Sequence, residues 1–314
     1  MLNIIENELL SKHSTFHIGG PACYFVAIKN NNDLFEAIAF ASEKKIDYKV
    51  IGGGSNLLFA DAGYDGLIIK YFGGNEIEIF GNQVKVSGGM PLALAINKTI
   101  DAGLSGLEWG IGIPGTIAGA ICNNAGAYGG EMAQSVVSVE IFSEAERKII
   151  HAIDCGFTYR HSAFKSKKIS GIILSAVLEL KQFSNEELLE IKLKMQDSLQ
   201  DRLSKSARGG SVGSVFRNIV LSADEIKELK NKISNLPEKF VASQKIPAGW
   251  LIEQCELKGR HIGGVMVSEN HAGKITNVGG ATASDVIMLI SIIKQKVRTR
   301  FGLQLVEEFE YVGF

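Results

Sequence analysis

The sequence predicts an α+β protein, and three observations carry that expectation. Helix and strand signals follow one another in mixed order rather than in strict strand–helix alternation, which argues against one doubly wound sheet. Alternating residues between Gly66 and Gly88 read as hairpins, the signature of antiparallel pairing. The best-signalled helices start after Ser184 and after Thr282, apart from those strands. A chain of 314 residues has room for two or three domains at roughly 100 to 200 residues each. The expected regions are 1–70, 71–203 and 204–314.

Asp33 offers an acidic N-cap for a first helix, with Glu36 three residues later and Leu34, Phe35, Ile38 and Ala41 at helical spacing. A short β-prone run, 48–51, passes directly into Gly52, Gly53, Gly54, Ser55 and Asn56, so the unit reads strand, helix, strand, glycine-rich turn. The runs 67–69, 77–79 and 84–86 are divided by Gly74, Gly81 and Asn82 and predict antiparallel hairpins. Residues 91–104 read as a helix with Pro91 near its first turn and Gly103 at its end. A glycine-rich stretch, 106–130, follows, and strands return over 136–142 and 172–180. Ser184 and Glu187 predict a capping box for a helix whose apolar stripe is Leu188, Ile191, Met195 and Leu199, a candidate domain divider. Residues 204–211 read as a loop. A second capping box, Thr282 with Asp285, opens the last helix. Val286, Leu289, Ile293 and Val297 form its apolar face, basic residues crowd its end, and Gly302 stops it.

Composition excludes several classes. The 33 basic and 34 acidic side chains leave a formal charge of -1, so nothing draws the chain onto nucleic acid. Residues 1–14 carry Glu6 and Glu8 and lack a basic and an apolar region of the secretory kind, which predicts a cytoplasmic protein. Cys23, Cys122, Cys155 and Cys255 stand far apart, as packed reduced thiols do, and no metal-ligand spacing occurs. Residues 109–130 carry no charge but for the end of the run at Glu131. Pro114, Asn123, Asn124 and the glycines would leave backbone groups unsatisfied in lipid, so a membrane span is not expected there.

Three glycine motifs bear on chemistry. Gly110-Ile111-Gly112-Ile113-Pro114-Gly115 matches the dinucleotide fingerprint in letters, but it follows a helix and Trp109 rather than a strand, and Pro114 interrupts it. Gly209-Gly210-Ser211-Val212-Gly213 matches the nucleophile elbow, yet a polar loop precedes it where a buried strand is needed. A hydrolase on Ser211 would need His261 or His271 as its base. Gly52-Gly53-Gly54-Ser55-Asn56-Leu57-Leu58 lacks the P-loop lysine, and Leu57 stands where the dinucleotide pattern has its last glycine. Consecutive glycines after a strand still turn N–H groups into one concavity, and Ser55 and Asn56 add donors, which suits a pyrophosphate. A tight turn without ligand reads equally well from these residues alone. Gly115-Thr116-Ile117-Ala118-Gly119-Ala120 and the run 123–130 form a second stretch where backbone can approach a flat cofactor, or pack on backbone.

In their succession these segments resemble the UDP-N-acetylenolpyruvoylglucosamine reductase family. Ile51-Gly52-Gly53-Gly54-Ser55-Asn56, Gly112-Ile113-Pro114-Gly115-Thr116-Ile117-Ala118-Gly119 and Asn124-Ala125-Gly126-Ala127-Tyr128-Gly129 look like its FAD-binding segments. The similarity extends from Thr15-Phe16-His17-Ile18-Gly19-Gly20-Pro21-Ala22 through Tyr159-Arg160-His161-Ser162-Ala163-Phe164-Lys165 and Gly213-Ser214-Val215-Phe216-Arg217-Asn218. It continues through Gly249-Trp250-Leu251-Ile252-Glu253-Gln254 and ends at Phe301-Gly302-Leu303-Gln304-Leu305-Val306-Glu307-Glu308. The resemblance implies a two-part FAD-binding region of the vanillyl-alcohol-oxidase-like type and a C-terminal α+β substrate domain with a terminal strand carrying Glu308. It implies FAD on Gly52, Gly53, Gly54, Ser55, Asn56, Leu57, Gly115, Thr116, Gly119, Ala120 and Gly126. NADPH would reduce that FAD and leave, and UDP-N-acetylglucosamine enolpyruvate would then enter the same site and become UDP-N-acetylmuramate. Partners are thus small molecules, and a monomer is expected.

By matching position, the resemblance makes Ser214 the proton donor, and Arg160 and Glu308 the groups that polarise the substrate carboxylate and steady the developing enol. Arg217 and Asn218 would hold the diphosphate or sugar. The chemistry is coherent, because an enol ether conjugated to a carboxylate accepts hydride only where the growing negative charge meets a fixed cation and hydrogen-bond donors. His17 stands where the family pattern has Arg or Lys, Arg217 where it has Lys, and Ile219 where it has Pro. The short stretch from Arg160 to Ser214 matches the branch without a tyrosine-bearing loop over the substrate. Three rival classes stay open: a flavin oxidase, whose reduced flavin reacts rapidly with oxygen; a serine hydrolase, which binds no flavin; and a non-catalytic UDP-sugar binder.

Overall fold

The computed structural model describes residues 2–74, 76–205, 209–233 and 236–314. The chain begins with β1 (Ile5–Leu9), β2 (Pro21–Ile28), α1 (Asn31–Lys44), β3 (Tyr48–Ile51), β4 (Leu57–Phe59), β5 (Tyr64–Tyr71), β6 (Ile77–Phe80) and β7 (Gln83–Ser87). Helices α2 (Leu92–Asp101), α3 (Ile117–Cys122) and α4 (Asn185–Ser204) follow. The chain divides into two compact units. One holds the residues up to Glu8, Ala22–Gly54 and Asp65–Ser204, and the other holds Leu9–Pro21, Ser55–Tyr64 and Lys205–Phe314.

Two larger sheets and two apolar cores organise the first unit. Its four-stranded sheet runs in the order β1-β2-β5-β3, with β3 parallel to β5. Leu34, Ala37 and Ala41 of α1 bury against Val26, Ile28, Leu67 and Ile69 of that sheet. The second sheet is antiparallel, in the order Glu146–His151, Val136–Ser143, Ile172–Glu179, β7, β6. Its face packs under Leu92 and Ile96 of α2, Ile117 and Ile121 of α3, and Ile191 of α4. Tyr71 joins the two layers. Its buried hydroxyl donates to Asn31 Oδ1 at 2.8 Å and lies 2.9 Å from Ser87 Oγ on β7. Burial, foremost, holds that phenol above its usual pKa and keeps it a donor.

The second unit gathers around one core. Its elements are α5 (Ala223–Lys232), α6 (Glu238–Ser243), α7 (Ala248–Gln254), a three-stranded sheet of His261–Ile262, Val265–Val267 and Ile275–Asn277, and α8 (Ala283–Phe301). Val286, Leu289, Ile293 and Val297 of α8 bury with Leu251 and Ile252 of α7, and with Phe16, Ile18 and Leu58 from the N-terminal segments of the same unit. β4 pairs in parallel with Glu310–Val312, which is why a piece from position 57 belongs to a core built mostly after position 204. The capping box of α8 forms as predicted. Asp61 adds a second clasp, accepting from the Ala283 and Ser284 N–H groups at 2.7 and 3.1 Å.

Several local expectations are corrected. The N-cap of α1 is Asn30, whose side chain accepts from the Asp33 N–H, so the helix starts earlier than Asp33. Leu67, Ile68 and Ile69 belong to β5 in the first sheet and not to a hairpin with β6 and β7. A strand covered on both faces shows a continuous apolar run, and these three residues are wholly buried. Pro91 is the N-cap of α2, which ends at Asp101, and Leu104–Ser105 is a short strand. The strand Glu146–His151 had no clear sequence signal. Among the cysteines, Cys23 is exposed and Cys122 and Cys255 are half-buried. Burial pushes the Cys155 thiol up to about 11, so it packs as an inert group. Positions 206–208 of the expected loop lie outside the described residues. No helix among the described residues is long and apolar enough to cross a membrane.

Thr282→Ala is expected to lower stability by about 1 kcal/mol through loss of the N-cap acceptor. Urea unfolding should show a lower midpoint with an unchanged slope.

Candidate active site

The glycine-rich turn after β3 lies against the start of α3. A Cβ on Gly52 would stand 2.7 Å from Thr116 Oγ1, and one on Gly53 would stand 3.2 Å from Gly115 Cα. Gly54 (φ +68) and Gly115 (φ +132) take dihedrals that side chains resist. The partner segment is itself strung along 88–92: Leu92 N–H donates to Gly115 O, Ile117 N–H to Met90 O and Ala118 N–H to Gly88 O, all within 2.9 to 3.0 Å. Thr116 caps α3 by accepting from the Gly119 N–H at 3.2 Å. Two stretches some sixty positions apart in sequence therefore pack closely on one another, with Gly52, Gly53 and Gly115 half-exposed beside the contact. Ala120 is buried in the core behind it. Gly126 is required by chain packing, since its Cβ would meet Glu131 Cβ at 2.6 Å. The letters 110–115 follow a 3-10 turn, Glu108–Gly110, and not a strand, so the dinucleotide fingerprint has no structural counterpart here.

Arg160 belongs to the same unit. It sits at φ +55 in a tight turn closed by Thr158 and His161, each donating its N–H to the other's carbonyl at 3.1 and 3.0 Å. Asn124, fully buried, fixes that turn by donating Nδ2 to Thr158 O at 3.0 Å. The guanidinium lies 5.5 Å from the Tyr159 ring. A non-glycine residue held in this conformation by a buried amide is the kind of strain that functional sites store.

The second unit contains Ser55, Asn56, Leu57, Ser214, Arg217, Asn218 and Glu308. Val215 N–H donates to Gly273 O at 2.9 Å, and Val215 O accepts from the Glu308 N–H at 2.8 Å. Ser214 therefore rides on a segment clasped from both sides. Its own partner is Lys274, across an antiparallel bridge in which side chains stand closest. Ser214 is exposed and Glu308 half-buried. Asn56 donates Nδ2 to Glu308 O at 3.3 Å and accepts from the Glu310 N–H at 3.0 Å through its carbonyl. Glu308 precedes the terminal strand instead of lying on it, because ladder pairing with β4 begins only at Glu310. Arg217 is half-buried, and its Nε makes no hydrogen bond among the described residues. Asn218 Oδ1 accepts from the Ala248 N–H at 3.2 Å, so that amide also holds the start of α7.

The elbow geometry is absent around Ser211. Its hydroxyl accepts from the Gly213 N–H at 3.1 Å, its carbonyl takes the Thr15 hydroxyl at 2.7 Å, and no helix follows. His271 is occupied elsewhere: Nδ1 accepts from the Gly273 N–H at 3.1 Å. Burial, and then Lys274, holds its pKa below the ordinary histidine value. Nothing in the sequence pattern marks Gly273 and Lys274 as neighbours of the Ser214 segment, because the pairing crosses a long stretch of chain.

Residues 22–152 match a family described as an FAD binding domain, and residues 204–312 match the C-terminal domain of UDP-N-acetylenolpyruvoylglucosamine reductase. The protein of that name from Carboxydothermus hydrogenoformans is 37% identical, covering 99% of this chain and 94% of the relative. Its counterpart from Anoxybacillus flavithermus is 36% identical over 98% of this chain and 94% of the relative. The chain belongs to the UDP-N-acetylenolpyruvoylglucosamine reductase family. A crystal structure of the reductase from Thermus caldophilus aligns with a TM-score of 0.74 at 29% identity, covering 99% of both chains. The family's fold class is the α+β class expected from sequence, and the chain is an FAD-dependent oxidoreductase. The half-exposed glycines Gly52, Gly53 and Gly115 fit such a cofactor, since a flat ligand with a pyrophosphate needs close approach and N–H donors more than side chains.

Two outcomes are expected. Gly52→Ala, forcing Thr116 aside, should weaken FAD retention by roughly 10- to 100-fold, read as a reduced flavin-to-protein absorbance ratio. Because the folded pKa of His271 lies below that of the unfolded chain, unfolded protein takes up the proton first. The stability His271 contributes is therefore present above about pH 6.5 and lost as pH falls below it. Urea midpoints at pH 7.5 and 5.5 should differ more for the parent protein than for His271→Gln.

Proposed function

We propose that the protein reduces UDP-N-acetylglucosamine enolpyruvate to UDP-N-acetylmuramate with NADPH as the source of electrons, a step in making the peptidoglycan precursor. The observation that carries this reading is likeness to reductases of that name along nearly the whole chain, through both matched domains. In this reading 1–70 and 71–203 hold the flavin and 204–314 binds the sugar nucleotide. Support comes from the FAD-domain match over 22–152 and the C-terminal match over 204–312.

Bound FAD, once reduced by NADPH, would supply the hydride. Arg160 pairs with the carboxylate of the enolpyruvyl group and offsets the charge that grows there as the double bond is reduced. Glu308 shares the proton of the resulting enol. Ser214 Oγ–H then gives a proton to the carbon next to the carboxylate, and the alkoxide left behind regains a proton from solvent, to which Ser214 is open. The pairing of Val215 with Glu308 supports joint action of the last two, since the backbone holds their segments side by side. Arg217 and Asn218 bind the diphosphate or sugar. The buried Arg217 Nε is consistent with that role, while Asn218 has only its amide nitrogen left once Oδ1 is committed to α7.

The purified protein should show the yellow flavin bands and lose them on addition of NADPH. Ser214→Ala should slow sugar-nucleotide reduction by about 100- to 10,000-fold and leave flavin bleaching by NADPH nearly intact. Equal loss of both half-reactions would remove Ser214 from the role of proton donor, and a protein unable to take up FAD would remove the whole reading.

A further inference from the structure

The last turn of α4 brings Arg202 onto the glycine-rich segment of the first unit. Its guanidinium carbon lies 5.1 Å from the centroid of the Tyr128 ring, and one terminal nitrogen reaches Trp109 O at 3.5 Å. Gly112, at φ +73, makes room for the stem: a Cβ there would stand 3.0 Å from Arg202 Cδ. Tyr128 is held in turn. Its hydroxyl proton is shared between Asp201 Oδ2 at 2.8 Å and Ser198 O at 3.1 Å, so ring and guanidinium are tied to the same helix end.

The arrangement leaves one donor without an acceptor. Arg202 Nε is buried and makes no hydrogen bond among the described residues. A guanidinium carries five N–H donors, and leaving one idle away from water is costly. The neighbouring carboxylate, Asp201, already accepts the Tyr128 hydroxyl. Burial foremost, and then the charge of Arg160, work against the charged form of Arg202, while Tyr128 and Asp201 favour it. Two half-buried guanidinium groups on one unit repel each other, and an anionic ligand relieves the repulsion.

We propose that Arg202, stacked on Tyr128 and braced against Trp109, binds a phosphate oxygen of the exchangeable nucleotide that enters this site. The inference rests on the reductase reading, in which Arg160 meets the carboxylate of a sugar nucleotide. A ligand carrying both a carboxylate and a diphosphate engages both cations. The phosphate belongs either to the sugar nucleotide or to the nicotinamide nucleotide. The planar fork of arginine suits it better than a lysine point charge does.

Flavin-loaded protein carrying Arg202→Ala, Arg202→Lys or Tyr128→Phe is titrated calorimetrically with UDP, uridine and NADP+. Arg202→Ala is expected to weaken UDP or NADP+ by roughly 10- to 100-fold and to leave uridine within about twofold. Arg202→Lys should recover only part of the loss, and Tyr128→Phe, which frees the guanidinium platform from Asp201, should give a smaller loss of the same kind. A loss confined to UDP assigns the phosphate to the sugar nucleotide, and one confined to NADP+ assigns it to the reductant. Unchanged affinity for both overturns the proposal, as does a defect confined to flavin content. If Arg202→Ala fails to retain flavin, Arg202→Lys carries the same test. In turnover, KM for the affected nucleotide should rise while kcat changes by less than about threefold, as loss of uniform binding requires. An enzyme that turns over normally in every Arg202 variant refutes this site alone. A parent protein that never reduces the sugar nucleotide refutes the reductase reading, while the UDP and NADP+ titrations still decide whether Arg202 binds phosphate.

Discussion

The approach of Gly52 and Gly53 to Gly115 and Thr116 is the constraint on which the first unit turns. A Cβ on Gly53 would stand 3.2 Å from Gly115 Cα, and one on Gly52 2.7 Å from Thr116 Oγ1, so the turn has no room for side chains and lies directly against the start of a short helix. The strand β3 can end there because β5 holds it in register, and α3 can start there because Thr116 supplies its cap. The cradle follows from that contact, and so does the position of Asn124 two residues beyond α3, which in turn sets the turn that carries Arg160.

The second unit solves a different problem. An exposed serine hydroxyl has little to orient it by itself, so its backbone must be held. Pairing with Gly273 and Lys274 on one side and with Glu307 and Glu308 on the other does this, and Asn56 ties the Glu308 carbonyl to a segment from the N-terminal part of the chain. Lys294 braces the neighbouring Glu307 at 3.1 Å from both carboxylate oxygens. The proton transfer proposed for this hydroxyl depends on positioning within a fraction of an ångström.

Much of this was legible in the sequence, for identifiable reasons. The capping boxes at Ser184 and Thr282 formed because both halves of each signal are local, and local signals survive any fold. The glycine turn at 52–54 was visible as a break after a strand, although its partner at 115 was not, since no pattern states which glycine faces which. Leu67, Ile68 and Ile69 misled because burial on both faces erases the alternation that identifies strands. The clasp around Ser214 was invisible, being made entirely of backbone bonds between segments far apart. Arg202 drew no notice because an arginine at a helix end reads as a solvated charge complementing the helix dipole.

The parallel pairing of β4 with Glu310–Val312 bears on the order of events during synthesis. Asn56 and Glu308, which flank that pairing, are 252 positions apart. The N-terminal segment emerges from the ribosome early, and its three buried residues Leu57, Leu58 and Phe59 then have no strand to pair with until almost the entire chain has followed. The first unit can complete its own sheets meanwhile, while the second must wait, at a loop-closure cost that high contact order makes slow to repay. During that interval the apolar strand Leu57–Phe59 stands unpaired, the condition in which a partly made chain is most exposed to mispairing.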